Sequence, residues 1–318
     1  MKQIDVSVCM VTYNQIKYVG QAIESYLNQK TTYSVEVIVS DDASPDGTAQ
    51  YVREHYGDRV TLIARSENVG LNRNLYDMYA SAKGRYIYGC AGDDWACDLE
   101  MIQKQVDFLE ANPEYSSVSN WMVMVDAQGK EIGESVCPNY EYTFEDWITN
   151  KSKNSCGTGM LRNYFLDLQE NVDYMYLACR NNEEIPIWAF LLERGKHYII
   201  HQKMLAYRYV NIEGNTNYNS THKPIDVYED YRNSLLNMKK YHPIYSYEAK
   251  ELKIAYDFWR PIILSRDIRQ WIRFVHLLGF KNFWKLIGVT PYIMRHGELP
   301  EKIQRRCLES AGEKYVRI

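Results

Sequence analysis

Four short apolar runs separated by three amphipathic stretches fill residues 6–90, and this alternation limits the fold more than any other feature of the chain. VSVCMVTY (6–13), VEVIVSDD (35–42), VTLIAR (60–65) and RYIYGC (85–90) have strand length and are rich in β-branched and aromatic residues, the pattern of strands buried on both faces. Between them, YVGQAIESYLNQ (18–29) places Val19, Ala22, Ile23, Tyr26 and Leu27 at helical spacing. SPDGTAQYVREHY (44–56) opens with Ser44 and Pro45, a cap and first turn for a second helix. NRNLYDMYASAKG (72–84) predicts a third, closed by Gly84 at the C′ position. Such alternation implies parallel strands joined by right-handed crossovers, an α/β sheet covered on both faces.

In sheets of this kind ligands gather at the carboxyl ends of the strands. Three of the four strands run into polar residues there: Thr12-Tyr13-Asn14, Asp41-Asp42, and the Asp93-Asp94 pair of YIYGCAGDDW (86–95). Adjacent aspartates repel. One account of Asp93-Asp94 is a hard divalent cation, Mn²⁺ or Mg²⁺, which takes carboxylate and phosphate oxygens. The other is a helix N-cap beside a solvated turn residue. The Asp41-Asp42 turn has the same two readings, a cap or a hydrogen-bond acceptor for a base or ribose. A GxGxxG loop is absent after the first strand, where TYNQIKYVGQ carries one Gly and one Lys. That excludes a dinucleotide-binding dehydrogenase and weakens a nucleotidyltransferase reading.

The rest of the chain is read more coarsely. EMIQKQVDFLEANPEY (100–115) is an amphipathic helix stopped at Asn112-Pro113, SSVSNWMVMVD (116–126) a strand, and 134–160 is loop-rich. NNEEIPIWAFLLERG (181–195) is a helix with carboxylates at its start, and KHYIIHQKMLAYRYV (196–210) reads as two short strands. The polar stretch 211–224 separates a domain over 1–215 from a helical region over 216–318, with breaks at Pro243, Gly279, Gly288-Pro291 and Gly297-Pro300. A formal net charge of -4 argues against a nucleic-acid partner bound through global charge. The seven cysteines are scattered with no CxxC pair, which suits thiols in a reducing cytoplasm. Neither a signal peptide nor a transmembrane helix is predicted. The 28 tyrosines fit core and rim positions, with a few available for sugar or base stacking. His197, His201 and His222 lack metal-ligand spacing and read as surface or rim residues.

Taken in order, VTYN (11–14), SDDASPDGT (40–48), ENVGLNRN (67–74) and AGDDWACDLEMIQKQVDFLEANPEY (91–115) resemble the signatures of the inverting family 2 glycosyltransferases, over roughly residues 5–210. The last stretch is similar to a bacterial branch that reads E-G-D-D-Y-W. The resemblance implies a GT-A fold: a Rossmann-like mixed, mainly parallel sheet flanked by helices, with a helical C-terminal extension. It implies a nucleotide-sugar site at Thr12, Tyr13, Asn14, Asp41 and Asp42, with Arg73 and Asp93 near the donor and Asp94 reaching the metal. Many members carry a further Asp where this chain has Ala91, so much of the metal's coordination would come from the donor diphosphate. Position matching places Glu184 in the general-base role, with Glu183 as its neighbour, and sets Gly157, Thr158 and Trp95 in the acceptor region. The implied activity is transfer of a sugar from a UDP-linked donor to a hydroxyl of a glycan or lipid-linked glycan in bacterial surface polysaccharide synthesis. A non-catalytic nucleotide-sugar-binding scaffold is the alternative.

Outside the resemblance, residues 260–289 carry Arg260, Arg266, Arg269, Arg273, Lys281 and Lys285 against Asp267 alone, interleaved with Trp and Phe. Such a segment either lies on the inner face of the cytoplasmic membrane or packs on the catalytic domain or a second subunit of a homo-oligomer.

Overall fold

The computed structural model describes residues 3–150, 159–166, 184–209 and 222–312. They form two compact units. The first holds 3–142, 159–166 and 194–209, and the second holds 143–150, 184–193 and 222–312.

The first unit is built on one mixed sheet. Its elements are β1 (Val6–Thr12), α1 (Val19–Leu27), β2 (Val35–Asp41), α2 (Thr48–Tyr56), β3 (Thr61–Ala64), α3 (Leu71–Ser81), β4 (Tyr86–Ala91), β5 (Trp95–Ala96), α4 (Met101–Ala111), β6 (Tyr115–Val125), β7 (Glu131–Ser135), β8 (Glu141–Tyr142), β9 (Met160–Arg162) and β10 (Lys196–Arg208). The strand order is β3-β2-β1-β4-β9-β6-β10-β5, with β7 on β6 and β8 on β10. Strands β1 to β4 pair in parallel, as the alternation predicts. β9 lies antiparallel between β4 and β6, and β6 pairs in parallel with β10.

Alternate residues of the parallel strands supply the core. Val6, Val8 and Met10, Val37 and Val39, and Tyr86 and Tyr88 pack with Val19, Ala22, Ile23 and Tyr26 of α1 and Ile102, Val106 and Leu109 of α4. Helix α3 packs against β1 and β2. Gly89 makes room for the Tyr79 hydroxyl, which a Cβ there would approach to 2.2 Å.

Several local expectations are corrected. Helix α2 starts at Thr48 behind Gly47, whose φ of 90° turns the chain into it; Ser44 is held back by Asp41 and cannot cap. Helix α3 ends at Ser81 because Ala82 is already extended. Gly84 serves instead as a close-approach residue: a Cβ there would lie 2.5 Å from the Ser7 amide nitrogen. Residues 196–208 form one strand, and register shifts around Lys203 break the alternation that suggested two. His197 is fully buried, bonded at 2.8 Å to Ser117 through Nδ1 and to Ser119 through Nε2.

The second unit is helical among its described residues: α5 (Phe144–Thr149), α6 (Glu184–Leu192), α7 (Pro224–Tyr241), α8 (Glu248–Leu264), α9 (Ile268–Leu278), α10 (Phe280–His296) and α11 (Glu301–Ala311). Thr143 and Asp146 form a capping box on α5. In α6, Ile185 and all residues from Ile187 to Leu192 are buried, and Pro186 sits in the first turn, where its missing N–H removes no helical bond. Helix α10 runs through Gly288 and Pro291, because burial of Leu286 and Ile293 outweighs their low helix propensity. No helix among the described residues is long and apolar enough to cross a membrane.

Candidate active site

Parallel register brings the three polar strand ends side by side. Thr12 stands opposite Asp41, and Val11 stands between Ser40 and Ala91. The Asp42 amide donates to the Thr12 carbonyl at 3.0 Å and the Gly92 amide to the Val11 carbonyl at 2.9 Å. Pairing thus continues just past the strands and fixes where the turns begin.

The turn after β1 is locked onto the turn after β2. The amides of Asn14, Gln15 and Ile16 donate to Ser44 Oγ (3.0 Å), Thr48 Oγ1 (3.2 Å) and Asp46 Oδ2 (3.1 Å). Asn14 and Ala43 take left-handed conformations, with φ of 57° and 58°. Asp41 accepts the Ser44 hydroxyl at 2.5 Å and its amide at 2.9 Å, and burial still pushes its carboxyl above the usual range. Asp42 accepts the amides of Val69 and Gly70 at 2.8 and 2.9 Å, so its carboxylate fastens the turn that opens α3. The cap expected for the adjacent helix is not made: both amides precede Leu71, the first residue of α3. Arg73, on α3, is largely exposed and pairs with Asp77 at 2.9 Å. Tyr13 stands exposed at the rim.

Among the described residues, Thr12 Oγ1, Asn14 Oδ1 and Gln15 Oε1 are buried without a hydrogen-bond partner. Native proteins rarely leave such atoms idle. Gly92 packs tightly against two of them. A Cβ there would lie 2.7 Å from Gln15 Oε1 and 3.0 Å from Thr12 Oγ1. The concentration of unsatisfied polar atoms at the carboxyl end of β1 suits a polar ligand with N–H and O–H groups.

Asp93 and Asp94 follow directly. Asp94 is buried, and its Oδ1 accepts the Arg208 amide at 2.8 Å. Burial holds its carboxyl well above the ordinary range, and the Asp93 charge adds to this. Asp93 is pushed up to about 6, first by burial; its own amide, Arg208 and Gln15 oppose the shift. Among the described residues no group of three His, Cys, Asp or Glu side chains could hold a metal ion alone. The donor set nevertheless fits a hard cation that finds its remaining ligands on a substrate. It offers two crowded carboxylates whose mutual repulsion a cation would relieve.

Arg208 was not foreseen from the sequence. It ends β10 and is buried. Its guanidinium donates to the carbonyls of Asp93 (3.2 Å), Asp126 (3.0 Å) and Ala127 (2.8 Å) and to Gln21 Oε1 (3.0 Å). It also sits 4.3 and 4.9 Å from the ring centroids of Tyr18 and Trp95. Trp95 therefore lines the Arg208 side chain at the β5 edge. The only available signal was an arginine closing an apolar strand run.

Glu183, Gly157 and Thr158 lie outside the described residues, and Glu184 opens α6. Gly159, with φ of 57°, approaches β6 so closely that a Cβ would lie 2.3 Å from the Val118 carbonyl oxygen.

The sequence profile of the family described as Glycosyl transferase family 2 matches residues 7–168. An uncharacterised protein of Mycobacterium tuberculosis is 36% identical over 111 residues, which is 34% of this chain and 32% of that protein. The chain thus spans about a third of the length of that relative. The Escherichia coli protein named UDP-Glc:alpha-D-GlcNAc-diphosphoundecaprenol beta-1,3-glucosyltransferase WfaP is 29% identical over 190 residues, 60% of this chain and 71% of that one. Among solved structures, S. aureus TarS 1-349 in complex with UDP-GlcNAc aligns with a TM-score of 0.61 over 98% of this chain and 89% of its own, at 16% identity. That likeness carries the fold, a mixed and mostly parallel GT-A sheet flanked by helices.

Proposed function

From the premise that the chain belongs to glycosyl transferase family 2, we propose that it transfers a sugar from a nucleotide-diphosphate donor, with UDP as the nucleotide, to a hydroxyl of a glycan or lipid-linked glycan, inverting the anomeric carbon. The observation that carries this reading is the row of unsatisfied buried polar atoms on Thr12, Asn14 and Gln15 beside the Asp93-Asp94 pair. Names among the relatives and neighbours support it: one is a UDP-glucose-dependent transferase acting on a lipid diphosphate, and another was solved with UDP-GlcNAc.

In this reading Thr12, Tyr13, Asn14 and Asp41 receive the nucleoside. Asp42 fixes the adjoining turn, and Arg73 and Asp93 face the donor. Asp94, with Asp93, would hold a Mn²⁺ or Mg²⁺ ion together with the diphosphate oxygens. Bound there, the ion would supply Lewis-acid neutralisation of the leaving diphosphate. Glu184 takes the proton of the acceptor hydroxyl as its oxygen attacks the anomeric carbon. The bond to the diphosphate breaks on the opposite face. Glu183 stands beside Glu184 in the sequence as a second carboxylate. Trp95, Gly157 and Thr158 border the acceptor. Arg208 acts as a positioning residue, because it holds the Asp93-Asp94 turn without needing to touch substrate. Free thiols at all five described cysteines suit a cytoplasmic setting and a role in surface polysaccharide synthesis there.

The test is calorimetry of a panel of nucleotide sugars with and without Mn²⁺, run beside a product assay. Selective, cation-dependent binding and turnover are expected. Binding with no transfer or hydrolysis would favour the non-catalytic scaffold, and no binding by any nucleotide sugar would refute the reading.

A further inference from the structure

The second unit leaves apolar side chains facing solvent. On α9, Ile268, Trp271, Ile272 and Val275 share one face at helical spacing, while Gln270, Phe274 and Leu278 are buried on another. Ile268 is 64% exposed and Ile272 58%. The patch continues through Ile263 and Leu264 at the end of α8 and through Phe280 and Trp284 on α10, which are 70% and 57% exposed. Ring contacts join its aromatic part: Trp271 meets Phe283 at 6.5 Å, Phe283 meets Trp284 at 5.9 Å, and Trp284 meets Phe280 at 5.9 Å. Soluble surfaces rarely expose apolar side chains grouped in this way without a partner.

Charge says what the partner is. Of the six basic residues in 260–289, two serve the fold. Arg273 pairs with Asp226 and Glu229, and Lys285 pairs with Glu248. Arg260, Arg266, Arg269 and Lys281 are exposed and meet no acidic side chain among the described residues. The segment's one acid, Asp267, is engaged as the N-cap of α9 through the Arg269 amide. The exposed apolar residues therefore share their segment with exposed, unpaired positive charge, on a chain whose net charge is -4.

We propose that this face docks on the surface of an anionic phospholipid bilayer, with Ile268, Ile272, Phe280 and Trp284 entering the interface. The four unpaired basic residues would lie among the headgroups. A second copy of the chain fits poorly. A two-fold contact would set the patch against itself and bring like charges together. The inference goes beyond the proposed reaction and does not depend on it, since no donor or acceptor sugar enters the argument.

The experiment is co-sedimentation of the full chain with vesicles of phosphatidylcholine alone and of phosphatidylcholine with phosphatidylglycerol. No nucleotide sugar is added, so failure here leaves the donor-site reading untouched. Binding to the anionic vesicles is expected. Arg269→Glu and Lys281→Glu should each weaken it about fivefold or more. Phe280→Glu with Trp284→Glu should weaken it at least tenfold while the variant still unfolds cooperatively on heating, because these side chains are mostly exposed in the folded chain. Equal binding to both vesicle types would overturn the charge argument. No binding to either would overturn the proposal, as would a concentration-dependent dimer, seen by sedimentation velocity, that Phe280→Glu dissociates.

Discussion

The main-chain N–H of Arg208 donates to Asp94 Oδ1 at 2.8 Å across 114 residues of sequence. The same residue's guanidinium reaches the Asp93 carbonyl. The end of β10 thereby fixes both halves of the acidic turn.

Replacing Arg208 tests that clasp. Arg208→Lys keeps the charge but loses the planar fork that reaches three carbonyls and Gln21. The stranded buried acceptors should cost about 2–4 kcal/mol of stability. Urea unfolding measures the loss. Donor affinity, read separately by calorimetry, should fall about tenfold or more even where the variant is fully folded.

Asp94→Asn separates function from stability. Asn can still accept the Arg208 amide, while the buried like-charge repulsion with Asp93 disappears. The ligand-free variant should melt a few degrees higher, on the order of 1–2 kcal/mol, and turnover should fall by about a hundredfold or more. Glu184→Gln should lose turnover to a similar degree with donor binding retained. Wild-type rates in both would remove these residues from the mechanism.

Gly92→Ala places a methyl group against Gln15 Oε1 and Thr12. Either the Gln15 amide or the acidic turn must give way. Donor KM should rise by roughly tenfold or more, with a loss of stability of only about 1–2 kcal/mol. A variant with native KM would show that the Thr12–Gln15 wall does not face the donor.

His197 gives a pH signature. Burial holds its pKa down to about 3, so the folded state keeps it neutral between two serine hydroxyls. The unfolded chain protonates it near 6.5. Between those values the unfolded state binds the extra proton, so stability falls as pH is lowered from about 6.5 towards 3, by about 1.4 kcal/mol per unit for this one group. His197→Gln should flatten that slope in urea unfolding run at pH 7, 6 and 5.

Much of this architecture was legible because its signals are local. The strand and helix alternation of residues 6–90 reports parallel pairing directly, and the polar strand ends then have to converge. What the sequence hid is what depends on distant packing. Gly84 looked like a helix stop, yet its constraint comes from the Ser7 amide. His197 looked peripheral because nothing near it in sequence shows Ser117 and Ser119 waiting on β6. Asp42 looked like a cap for the next helix, and its partners are the amides of Val69 and Gly70. Arg208 has a role only once β10 is laid beside β6 and β5.

The placement of β9 between β4 and β6 governs the order in which the sheet can be completed during synthesis. β1 to β4 can pair as soon as they emerge from the ribosome. β4 then presents a bare edge until Met160–Arg162 follow. That interval is when the nascent chain is most open to pairing with the wrong strand. A chain terminated before Met160 should therefore aggregate more than the full chain, as light scattering would show.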